Sequence, residues 1–107
     1  MSESLRRSRR QERAVADSLR GRTQPASGAG PTRKGDVRNK NFLVECKRTD
    51  KGAISVKASW VRKICNQAAR DKREPLIVLD IGDERVYLLP QTTFEFYIGE
   101  GEIDDGR

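Results

Sequence analysis

A chain of 107 residues, 35% of them apolar and 36% charged, has room for one small domain around a single core. Its net charge of +6 is unevenly spread: residues 1–73 carry 20 Lys/Arg against 7 Asp/Glu, whereas residues 74–107 carry 2 against 9. The absence of histidine excludes Ser-His-Asp, Cys-His and His-ligated metal chemistry, and Cys46 and Cys65 lack the CxxC spacing of a zinc site.

The predicted organisation is a single domain over 1–107, beginning with a basic helix over 1–20. Within residues 3–20, Leu5, Glu12, Val15 and Leu19 fall seven, three and four apart, which places Glu12 on the apolar stripe. The stretch "GRTQPASGAGPTRKG", 21–35, is rich in Gly and Pro, has no acid, and reads as a flexible basic loop. It is not a Walker loop, because Gly35 is followed by Asp36 where the lysine should stand.

Residues 36–98 are predicted to form the sheet-and-helix core. A hairpin over 36–47 is expected to turn at Asn39 and Lys40, which sets Asp36 across from Leu43. After it come a short strand "ISVKA" and a helix over about 59–72, whose Trp60, Val61, Ile64, Cys65, Ala68 and Ala69 repeat at helical spacing. The strands "PLIVLDI" and "RVYLL" follow, joined by the turn "GDE". The first is apolar on both faces, as an interior strand covered by helices would be. "PQTTFEFYIG" fits a helix start at Pro90 and a strand alternation of Phe94, Phe96 and Ile98 equally well. An acidic tail over 99–107 is expected to be disordered.

In the predicted hairpin, Glu45 and Lys47 share one face of their strand, and Asp36 lies diagonally beside Glu45 on that face. Three acids and a lysine on one surface would be costly without compensation, which a divalent metal would supply. The plainer alternative is a solvated edge hairpin beside an arginine-rich helix. The basic part of the chain, with Arg6, Arg7, Arg9, Arg10 and Arg13 on its first helix, suits a polyanion, and nucleic acid is the expected partner. The longest apolar run, "LIVLDI", is far too short for a membrane span, and no signal-peptide segment is visible in "MSESLRRSRRQER". A cytoplasmic protein with no membrane partner is expected.

"KGDV", followed nine residues after its Asp by "ECK", resembles the D-x(n)-(D/E)-x-K signature of the PD-(D/E)XK nuclease superfamily. Within it the chain is most similar to the small archaeal and phage Holliday-junction resolvases, which share "SGAG" upstream of "GD" and "ECK" on the next strand. The resemblance covers about residues 10–90. It implies an α/β fold with a restriction-endonuclease-like core, a mixed sheet of four to five strands flanked by helices in the order αβββαβ. It further implies that Asp36 and Glu45, with the Cys46 carbonyl, hold Mg2+ or Mn2+, that Lys47 is the catalytic lysine, and that Glu12 is the helix acid of the metal site. Ser27 would contact the scissile phosphate or the adjacent backbone, and Gln67 matches a glutamine near some active sites of the superfamily. The motif proline before the Asp is Gly35 here.

Candidate DNA contacts are Arg9, Arg10 and Arg13 on the helix, Arg22, Arg33 and Lys34 around the loop, and Arg48. The expectation is thus a Mg2+-dependent, structure-selective endodeoxyribonuclease that makes paired nicks in a four-way DNA junction. Paired incision calls for a homodimer, with Phe94, Phe96 and Ile98 as a candidate seam. If the chain is phage-encoded, it would work in the host cytoplasm. The alternatives are a nuclease of the same fold acting on flaps, nicked or linear duplex, and a basic protein that binds nucleic acid without cutting it. Asp80, a rival carboxylate within an apolar strand, is left without a role.

Overall fold

The computed structural model describes residues 2–24 and 35–100. Helix α1 spans Glu3–Leu19. Ser2 caps it by accepting a 3.0 Å hydrogen bond from the Leu5 N–H, and Glu3 in the first turn complements the helix dipole. Three short steps follow: β1 (Arg22–Thr23), β2 (Val37–Arg38) and the eight-residue β3 (Phe42–Thr49). Helix α2 (Ala58–Arg70) then leads to β4 (Glu74–Ile81), β5 (Glu84–Leu88) and a third helix, α3 (Gln91–Glu100). The sheet is five-stranded in the order β1-β2-β3-β4-β5, antiparallel except for the β3–β4 pair. A parallel pair needs a crossover, and α2 provides it.

Both faces of β3 and β4 are covered, as expected for β4. On one face Val15 and Ala16 of α1 pack on Val37, Val44, Leu76 and Val78. On the other, Ile64 and Ala68 of α2 pack on Leu43, Ile77 and Leu79, with Trp60 and Val61 partly covered beside them. Full burial of such side chains contributes about 1.5–3 kcal/mol each, so this two-sided core carries most of the driving force.

The structure departs from expectation in four places. The element order extends αβββαβ by a further strand and helix. Arg22–Thr23, predicted as loop, adds a fifth strand by pairing with Arg38 and Val37. "ISVKA" is not a strand: residues 53–57 form no regular structure and lead directly into α2. Of the two readings open for the tail, the structure takes the helical one: Pro90 accepts the first helical bond from Phe94, while Thr93 and Tyr97, four apart, face inward. Thr93 donates to Glu74 at 3.1 Å and Tyr97 stacks on Phe42, so Phe94 and Phe96 are left about half exposed.

The fourth departure is the hairpin register. Val37 pairs with Val44 and Arg38 with Leu43, so the turn closes by Asn39 donating to the Phe42 carbonyl. The Asn39 side chain fixes this wider turn by accepting from the N–H groups of Asn41 and Phe42 and donating to the Leu19 carbonyl. The partner shifts by two residues relative to the prediction, and an even shift preserves which side chains share a face.

Candidate active site

Asp36 precedes β2 and lies outside the paired ladder, so it is not set diagonally beside Glu45 by strand register as predicted. Asp36 is held twice at the mouth of β2. Its N–H donates to the Val44 carbonyl at 2.7 Å, and its Oδ2 accepts from the Cys46 N–H at 2.7 Å. Because Val37 is also registered on Val44, Asp36 occupies a β-bulge, a device that re-aims a side chain at a strand end. Gly35 makes that approach possible: its φ is +74°, and a Cβ there would lie 2.8 Å from Leu43 Cδ1. Proline, whose φ is locked near −65°, could not take this conformation, which accounts for glycine at the motif's proline position.

Glu45 is largely covered, and its Oε2 lies 3.3 Å from Lys47 Nζ. That ammonium also sits 4.7 Å from the centroid of the Trp60 ring, so it is held between a carboxylate and an aromatic face. Trp60 behaves as a packing residue, as its helical spacing suggested, and adds this contact to its role.

Glu12 comes from α1, on the opposite face of the sheet from α2. Among the described residues no strand lies beside β3 beyond Val37 on that side. The buried Gln11 ties α1 to β3, its Nε2 donating to the Lys47 carbonyl at 2.9 Å, and its neighbour Glu12 comes close enough to Asp36 and Glu45 to feel their charge. Burial, with Asp36 and then Glu45 adding repulsion, pushes the Glu12 carboxyl up to about 7, although Arg9 opposes the shift. Burial and the Glu45 carboxylate likewise push Asp36 up to about 6, against the Cys46 N–H bond and the ammonium groups of Lys47 and Lys63. The Cys46 thiol is driven far above its usual range by burial and by Asp36, Glu12, Glu45 and Asp80, which leaves it an inert apolar group.

Asp36, Glu45, Lys47 and Glu12 therefore share one neighbourhood. Strand geometry turns the N–H and C=O of one residue toward the same neighbour, so the Cys46 carbonyl faces the Asp36 side of β3 as its N–H does. Among the described residues, however, no three Asp, Glu or Cys side chains converge tightly enough to hold a metal ion. The donor set itself, crowded carboxylates whose ionised forms lack compensation, suits a hard cation. Magnesium is ordinarily held by one or two carboxylates with waters and substrate phosphates.

Other predicted residues stand apart. Arg48 is mostly covered and pairs with Asp50, which Arg7 also engages. Gln67 lies on α2 with its Oε1 buried and without a hydrogen-bond partner. Asp80 is accounted for: across the β4–β5 pair it accepts two bonds from Arg85, at 2.7 and 2.9 Å. Arg10, Arg13 and Arg22 are exposed and Arg9 is partly covered. Ser27, Arg33 and Lys34 lie outside the described residues. Sequence reasoning missed Gln11 and Lys63. The signal for Lys63 was its helical phase, three residues after Trp60 and four before Gln67; Gln11 gave none beyond adjacency to Glu12.

No described helix is long and apolar enough to cross a membrane. Compared with protein-family models, with curated proteins and with solved structures, the chain matches none. What stands is an α/β domain with a five-stranded mixed sheet flanked by helices, bearing an acidic cluster and a lysine at a break in the sheet edge.

Proposed function

We propose that the protein is a metal-dependent, structure-selective endodeoxyribonuclease with a restriction-endonuclease-like core, acting on four-way DNA junctions. One observation carries this reading. Three carboxylates distant in sequence share a neighbourhood where their charges repel, with an amine alongside them. A solvated edge hairpin would show none of that crowding.

In this reading Asp36, Glu45, the Cys46 carbonyl and Glu12 hold Mg2+ or Mn2+. A bound divalent ion would acidify a water molecule and stabilise the added charge on an attacked phosphodiester. The chain's own residues do the rest. Lys47, steered by Glu45 and Trp60, donates hydrogen bonds to the attacking water or to a phosphate oxygen, stabilising charge that grows in the transition state. Glu12, whose carboxyl burial and Asp36 push up to about 7 without metal, would be held ionised by the cation, so that loading the site releases protons near neutral pH. Arg9, Arg10, Arg13 and Arg22 contact backbone phosphates, which fixes position without reading bases.

The test is incubation with labelled four-way junction, linear duplex and single strand, with Mg2+ and with EDTA. Paired nicks in the junction are expected, lost on chelation and in Lys47→Ala, while binding to DNA persists. Equal cutting of linear duplex would favour a nuclease of broader substrate range. Binding without metal-dependent cutting would leave a silent basic protein. Two-fold incision also calls for two copies, and the half-exposed Phe94 and Phe96 of α3 are the proposed seam.

A further inference from the structure

A cleft of about 600 Å³ lies beside the acidic cluster, between the end of α1, β1 and the β2–β3 turn. Five cations line it: Arg20, Arg22, Arg38, Lys40 and Arg73. No carboxylate among the described residues does. Two features make it more than a solvated basic face. Arg22 and Arg38 are registered directly opposite each other in the β1–β2 pair, and like charges so placed are destabilising unless an anion lies between them. In addition, the Arg38 Nε is buried without a hydrogen-bond partner, although the same guanidinium reaches Asp71 at 3.3 Å.

The floor of the cleft is rigid. Arg73 donates to the Asn39 carbonyl at 2.8 Å and to Asp71 at 2.7 Å, and so braces the turn that carries Lys40. Arg20, Arg22 and Lys40 are exposed and make no ion pair with any described residue. The cleft is thus pre-organised and short of anions. It is also joined to the acid cluster, since the Gln24 N–H donates to the Asp36 carbonyl at 3.0 Å.

We infer that this cleft is a second phosphodiester subsite, which takes consecutive backbone phosphates of the DNA strand flanking the one to be cut. The inference rests on the nuclease reading for its placement but not for its chemistry. From Asp36 to Lys40 the chain spans at most about 13 Å at roughly 3.3 Å per residue. DNA rises about 3.4 Å per nucleotide of one strand. Because the strand also winds around the axis, adjacent phosphates lie roughly twice that far apart, and the cleft reaches phosphates about two nucleotides from the scissile one.

The experiment measures binding of fluorescent four-way junction and linear duplex to the full chain in EDTA, over a series of KCl concentrations. The variants are Arg22→Gln/Lys40→Gln, both exposed, and Lys51→Gln/Arg62→Gln, which removes the same charge elsewhere on the surface. Circular dichroism melts confirm that each folds. Loss of two phosphate contacts should reduce the magnitude of the log affinity against log salt slope by about 2 in the first variant, with affinity at least tenfold weaker at low salt. The second variant should keep a slope close to that of the parent. Equal losses in both pairs, or no change in the first, would overturn the subsite. Because binding is read without metal, a chain that never cuts but loses slope only in the first pair refutes the nuclease and keeps the cleft. One that cuts while its cleft variant binds unchanged does the reverse.

Discussion

Replacing Asp36 with Asn should make the metal-free protein more stable at about pH 8, although it alters a residue held by two hydrogen bonds. Burial and Glu45 raise the Asp36 carboxyl from 3.8 to about 6, a little over two pH units. At about 1.4 kcal/mol per unit, ionisation costs the folded state roughly 3 kcal/mol. That cost is already net of the charge-assisted bond from the Cys46 N–H, which the amide oxygen can still accept. The expected gain is therefore about 3 kcal/mol, or a rise in melting temperature on the order of 15 °C for a domain of this size. The sign with pH follows from linkage. A carboxyl whose folded pKa is raised binds more protons folded than unfolded, so its contribution is fully present below about pH 4 and is lost as pH rises through about 6. Glu12, raised to about 7 but only half covered, extends the decline toward neutral pH with a smaller, solvent-screened share. Thermal melts in EDTA from about pH 4 to pH 8 should show wild-type stability falling and the Asp36→Asn variant falling less. A variant that melts at or below the wild type at about pH 8, with the same pH slope, would refute the crowding of the acid cluster.

Gln11→Ala should destabilise the protein by about 1–2 kcal/mol in urea titrations, because the Lys47 carbonyl loses its donor. If α1 then lifts from the strand, the pH dependence assigned to Glu12 should shrink with it. Trp60→Leu keeps a large apolar side chain on α2 but removes the ring face below Lys47, an interaction of about 0.5–1 kcal/mol. A two- to fivefold slower nicking rate with unchanged DNA affinity is expected in single-turnover assays. Phe94→Glu/Phe96→Glu places charge on the exposed face of α3. Sedimentation should show monomers where the wild type sediments as a dimer, with the melting temperature little altered.

The elements with strong periodicity were legible in sequence: α1, α2 and the apolar β4 lie where their patterns put them, within a residue or two at each end. The site was legible in composition and partly in geometry. Glu45 and Lys47 share a face because a strand alternates, but the hairpin register changed by two and Asp36 is placed outside the ladder by its bonds to Val44 and Cys46. The change itself was not readable, since it depends on the Asn39 side chain bonding two N–H groups and the end of a distant helix. The two-residue β1 was equally hidden, because two exposed residues carry no pattern and become strand only by pairing with β2. In the tail, Pro90 and the alternating phenylalanines pointed to helix and strand equally, and the contacts that decide the matter are made by Thr93 and Tyr97 with Glu74 and Phe42. Asp80 lacked a role until β5 was placed beside it, because its partner Arg85 is defined only by that pairing.

Strand β3 serves two masters along its length. Its first three residues are anchorage: Phe42 against Tyr97, Leu43 and Val44 in opposite cores. The next three hold the chemistry, and all eight are zipped to β4 in one uninterrupted ladder. A mutation in the apolar half therefore travels as a mechanical displacement into the polar half, with no hinge between them to absorb it. Variants selected only for a firmer interior would alter the reach of Lys47 as well, and a drift in turnover among such variants would trace to leverage along this one ribbon.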